Sequence, residues 1–159
     1  NHEFYAGTTQ SERFLKGAGF KVLRNQSYHL DDLLTIVGMD DPVAGRYLGN
    51  KKLDRTETTL LRHLDSQIFT LLLKPRPAVE PESVGHFDLQ LSGHTHGGQI
   101  FPFSLITEFF YANQSGLVPL EKDSLLYVSR GAGTWGPPMR LLSPPHVTVI
   151  ELYGLVEKQ

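Results

Sequence analysis

A chain of 159 residues, 40% of them apolar, is long enough for one domain with a buried core and too apolar to stay disordered. Its 15 basic and 17 acidic residues leave a formal charge of −2, which gives no general attraction for nucleic acid or an anionic membrane. With no cysteine, disulfides and thiolate metal sites are excluded, so a metal could be held only by carboxylate, amide, backbone oxygen or the seven histidines.

No stretch reaches the roughly 18–20 apolar residues of a membrane span. Neither a repeat nor a linker divides the sequence, so residues 1–159 read as a single domain. In chain order, Thr8, Thr9 and Ser11 offer hydroxyl caps before Glu12, and Phe14 and Leu15 carry an apolar stripe that Gly17 and Gly19 stop. This pattern predicts a helix. Residues 20–24 read as a short strand, and the apolar run 33–38 as a strand buried on both faces. Residues 54–64 read as a helix with Leu60, Leu61 and Leu64 on one side, followed by a buried strand at 68–73 closed by Pro75 and Pro77. Residues 87–92 alternate cleanly and run into a glycine-rich loop. Strands are expected again at 124–129 and 147–152, separated by the Gly/Pro-rich stretch 131–145. Strands interleaved with helices early and strands alone late predict a layered α/β domain, α+β in arrangement.

The strongest chemical signal is Gly93-His94-Thr95-His96-Gly97-Gly98-Gln99, directly after an apolar strand. Two imidazoles one residue apart, in a loop too glycine-rich for a helix, can address two neighbouring points in space. Neutral imidazole is the commonest nitrogen ligand of divalent transition metals. A turn carrying two surface histidines is the plainer alternative. At the other end of the chain, Asn1-His2-Glu3 joins an amide oxygen able to bind metal to an imidazole able to give a proton.

Together these segments resemble the calcineurin-like metallophosphoesterases, in a bacterial branch of that family. Asn1-His2-Glu3 matches the family's Gly-Asn-His-Asp/Glu block without its glycine, and Gly93-His94-Thr95-His96 matches Gly-His-x-His. Val37-Gly38-Met39-Asp40-Asp41-Pro42, Gly97-Gly98-Gln99, Arg130-Gly131-Ala132-Gly133-Thr134-Trp135 and Pro138-Met139-Arg140 extend the likeness in the family's order.

The resemblance implies a β-sandwich flanked by helices and a pair of divalent ions (Mn, Fe, Zn or Ni) about 3.5–4 Å apart that hydrolyse phosphomonoesters or phosphodiesters. It implies Asn1 and His94 as ligands of the second metal, His96 as a ligand of the first and His2 as the catalytic acid. Glu3 would orient His2, an exposed carboxylate near the terminus being the alternative; by their own chemistry Arg130 and Arg140 could meet a substrate phosphate or equally serve in core-edge salt bridges. The family's Asp-x-His and Gly-Asp-x-x-Asp blocks have no counterpart here, and Pro75 stands where a lone ligating histidine is expected. The chain is therefore expected to be the C-terminal portion of the domain, without its first strands and helices, holding half the site and binding metal weakly. A catalytically dead phosphoesterase-like binding domain is the alternative. Further expectations are a phosphate-ester substrate, self-association through a bared sheet edge, no nucleic-acid partner, and a bacterial setting in the cytoplasm or at a membrane reached by the longer parent.

Overall fold

The computed structural model describes residues 2–47, 56–111 and 115–154. Chain order runs through helix α1 (His2–Ala6), α2 (Thr8–Gly17), strands β1 (Gln26–Leu30) and β2 (Leu34–Gly38), and helices α3 (Ala44–Tyr47) and α4 (Glu57–Leu61). It continues with β3 (Phe69–Leu73), β4 (Leu89–Ser92), helix α5 (Phe103–Phe110), β5 (Gly116–Pro119) and β6 (Leu125–Val128). The strands make one mixed sheet in the order β1-β2-β3-β4-β6-β5. The central four are parallel, with Val37 opposite Leu72, Leu72 opposite Gln90 and Gln90 opposite Leu126, while β1 and β5 close the edges antiparallel.

Alternation along each strand decides which face is buried. Thr35, Val37, Thr70, Leu72, Gln90, Ser92, Leu126 and Val128 share one face, and all are buried. Leu60 and Leu61 of α4 pack on it with Val37, Leu72 and Phe87, which form the core. Thr56 caps α4 by accepting the Thr59 N–H at 3.2 Å. A buried ion pair between Lys74 Nζ and Glu57 Oε2, at 2.5 Å, ties α4 to the end of β3. On the opposite face Tyr28, Ile36, Leu71, Leu91 and Tyr127 are only half-buried.

The layered α/β fold holds, with helices flanking a single sheet; no second sheet of a sandwich forms among the described residues. Three local expectations change. Residues 20–24 do not form a strand. They cross the end of β2, where a Cβ on Gly38 would sit 2.4 Å from that of Leu23, so the pairing strand begins only at Gln26. The helix expected at 54–64 is confined to Glu57–Leu61, and residues 54 and 55 lie outside the described residues. Residues 147–152 form no strand, and Val147 and Val149 are 79% and 83% exposed. An extended segment gains its backbone hydrogen bonds only from a neighbour, and no strand among the described residues pairs with it.

Candidate active site

Four parallel strands put their carboxyl ends at one edge of the sheet, which is where open α/β sheets bind ligands. Asp40 and Asp41 follow β2, Pro75 and Arg76 follow β3, the Gly93–Gln99 loop follows β4, and Arg130 to Trp135 follow β6. Hydrogen bonds carry the ladder beyond the strands: Gly93 N–H donates to Pro75 O at 3.1 Å, and Ser129 N–H to Ser92 O at 2.8 Å.

The histidine loop departs sharply from regular backbone. His94, His96 and Gln99 have φ of 73°, 51° and 47°, a region that side chains with a Cβ enter at a cost. Gly97 and Gly98 share it, at 58° and 76°. Gly98 also has no space for a side chain, because a Cβ there would stand 2.2 Å from Ser104 Cα. The loop is thereby seated directly on the first turn of α5. Thr95 Oγ1 accepts the Gly97 N–H, and Ser143 Oγ donates to His96 O at 2.7 Å. These contacts hold the loop in the conformation in which both histidines line a cavity.

His94 and His96 line one open cavity of about 530 Å³ together with His2, Glu3, Pro75 and Trp135. The amino-terminal residues His2 and Glu3 thus reach the histidine loop. His2 is exposed and packs edge-on to Tyr5. Glu3 lies beside it on α1. Asn1 lies outside the described residues.

His94 packs edge-on against Tyr111, with ring centroids 5.7 Å apart. Burial, then the Arg76 charge, hold its pKa below the ordinary imidazole value, while Asp41 opposes them. His96 is lowered by burial and then by Arg140, against a hydrogen bond to the Gly133 backbone. Both rings therefore favour the neutral form, whose lone pair can bind a metal, although at His96 the Nδ1 lone pair already accepts from Arg140.

Two residues expected to serve the substrate have structural partners. Arg140 donates to the carbonyls of Gly133, Arg130, Ser143 and Pro144 and to His96 Nδ1. Arg130 lays its aliphatic stem over Gly97, where a Cβ would meet its Cδ at 2.8 Å.

Several residues of the site escaped the reading of the sequence. Asp41 is 2% exposed, accepts the Val43 N–H at 2.9 Å and binds Arg76 Nε at 2.8 Å. The buried Gln99 amide binds the Trp135 backbone on both sides, accepting its N–H and donating to its carbonyl, each at 2.7 Å. An acid pair directly after an apolar parallel strand was the available signal for Asp41. Gln99 stood inside the recognised motif, but nothing in its sequence context assigned it the role of a clamp on Trp135.

As a metal centre the described residues are incomplete. No group of three histidines or carboxylates among them converges closely enough to hold an ion. His96 Nδ1 faces the Arg140 guanidinium, and Pro75 brings no donor to the cavity wall. These residues alone do not fit a two-metal centre. No helix among the described residues is long and apolar enough to cross a membrane.

The chain is 40% identical over 155 residues to an uncharacterized metallophosphoesterase of Aquifex aeolicus, an alignment covering 97% of this chain and 59% of that protein. It is 36% identical over 155 residues to one of Campylobacter jejuni, covering 97% and 41% of the two chains. A third, from Bacillus subtilis, is 33% identical over 162 residues, with 92% and 51% covered. No family model matches, and no solved structure matches. The chain spans about half the length of the curated relatives it matches. Likeness along nearly all of its own length, carried by a fold that brings the two histidine motifs to one cavity, assigns it: the chain belongs to the calcineurin-like metallophosphoesterases.

Proposed function

We propose that this chain supplies one wall of a metal-dependent phosphoesterase site that hydrolyses phosphomonoesters or phosphodiesters. The observation that carries this reading is the cavity on which His2, Glu3, His94 and His96 converge. His94 and His96, with Asn1, would hold divalent ions that the remaining length of the relatives completes. Such ions supply charge neutralisation and a water of lowered pKa. His2, exposed at the cavity mouth, would give a proton to the leaving oxygen. Glu3 would orient His2, and Arg140 would fix His96 rather than the substrate. Arg130 remains available to the phosphate from the loop margin.

For this chain alone we expect weak binding of manganese and zinc by isothermal titration, and little turnover of a chromogenic phosphodiester. A chain extended to the relatives' length should hydrolyse that compound in a chelator-sensitive way. Turnover that survives chelator or His94→Ala would remove the reading. Pro75 favours a second one, a phosphoesterase-like domain that binds without hydrolysing. In the extended chain, Pro75→His raising metal affinity would identify Pro75 as the defect.

Self-association through a bared sheet edge is also proposed. A monodisperse monomer in light scattering that binds no apolar dye would remove it.

A further inference from the structure

A second cavity, of about 460 Å³, opens beside the histidine loop. Ile100, Phe103, Ile106, Trp135 and Pro137 give it apolar walls, while Thr95, Gln99 and Thr107 add polar atoms. It is not an accident of a loose helix. Gly98 packs directly on Ser104, which seats α5 against the loop, and Gln99 clamps the Trp135 backbone from the other side. Both walls are thereby fixed to the residues that aim His94 and His96. Trp135 lines this cavity and the histidine cavity alike, so the two adjoin at that residue.

The geometry points to a substrate subsite: the cavity between α5 and Trp135 takes the alkyl or acyl part of a phosphate ester whose phosphate lies at His94 and His96. This rests on the phosphoesterase reading and adds the substrate class to it. The volume falls in the range of small-ligand pockets, which are mostly apolar with a few polar groups at one end. Thr95, Gln99 and Thr107 supply those groups, the first two from the histidine loop itself.

Trp135 is the single tryptophan of the chain, so its emission reports occupancy without any turnover. It is 59% exposed, and an alkyl chain laid against it should shift its emission to the blue. Decyl phosphate, kept below its micelle concentration, should bind more tightly than ethyl phosphate by about tenfold or more. Ile106→Glu places a charge in the cavity and should cost about tenfold in decyl phosphate affinity. Phe109→Glu, on the same helix but outside the cavity and 87% exposed, should leave it unchanged.

Decyl phosphate binding no tighter than ethyl phosphate would overturn the inference. So would equal losses in the two glutamate variants, which would mark adsorption to the helix surface. Decanol binding as tightly as decyl phosphate, with no response to His94→Ala, would instead overturn the phosphoesterase reading beneath it. Phosphatidic acid vesicles reproducing the emission shift would assign the ester to a bilayer, and a response to decyl phosphate alone would assign it to solution.

Discussion

The guanidinium of Arg140 stands 3.1 Å from Nδ1 of His96, close enough to fix the ring's tautomer. Arginine has no acceptor, so the guanidinium donates and Nδ1 accepts, leaving the proton of the neutral ring on Nε2. The same side chain joins both ends of the loop that follows β6, through Arg130 O at 2.7 Å and Ser143 O at 3.0 Å. It therefore couples the shape of a surface loop to the state of a candidate ligand.

Arg140→Ala should raise the His96 pKa toward its ordinary value, because a positive charge that lowers it is lost. An imidazole NMR titration reads this directly. The stability loss should be about 1–3 kcal/mol, since charged hydrogen bonds to carbonyls disappear from a half-buried site. Arg140→Lys should not recover it, because an ammonium cannot reproduce the fork that reaches five acceptors.

Acid should weaken the Asp41–Arg76 pair. Burial raises the Asp41 pKa, but the Arg76 hydrogen bond and the Val43 N–H outweigh it, and the net shift is downward from the ordinary 3.8. A carboxyl lowered in the folded state adds stability that is complete above its unfolded value and lost as pH falls through the folded one. Asp41→Asn should cost about 1–2 kcal/mol near neutrality. In urea melts, the gap between the two proteins should hold down to about pH 4 and then close.

Lys74→Met should be more damaging. Lys74 and Glu57 are 7% and 2% exposed, and removing one partner strands a buried charge at a cost of about 3–5 kcal/mol. Burial already raises the Glu57 pKa, the Lys74 contact opposing it. Without Lys74, Glu57 should take a proton more readily, so the variant should recover stability as pH falls from neutrality toward about 5. Denaturation at the two pH values checks the sign, and Lys74→Met with Glu57→Leu should regain most of the loss.

Gly98→Ala should lower the melting temperature and release α5. The position needs positive φ, and its neighbour is the Ser104 backbone, which cannot turn aside. We expect a loss of about 2–3 kcal/mol. The Trp135 emission should move to the red as Gln99 shifts with the loop.

The parallel strands were legible from continuous apolar runs at 33–38 and 68–73 and from clean alternation at 87–92, and each of the three contains an observed strand. The edge strands were harder. β1 carries Gln26, Ser27 and His29, and β5 is four residues long and contains Gly116 and Pro119, so neither has the apolar density that marks a buried strand. Helix α5 was hidden by its composition. Phe103, Phe109 and Phe110 are exposed in this structure, so its sequence lacks the polar face that marks a surface helix.

By itself, the sequence determined the chemistry on offer: two imidazoles in a glycine loop after a strand, a third beside a carboxylate at the start, and no thiol. Side-chain type and local backbone freedom are enough for that. Only the tertiary structure decided that His2 and the 93–99 loop share one cavity, because contact across some ninety residues depends on strand order and register. It alone decided that Arg140 serves His96 and the loop carbonyls, and that an apolar cavity adjoins the histidines. A guanidinium pairs with whichever acceptors packing brings within about 3 Å, and no local pattern encodes that distance.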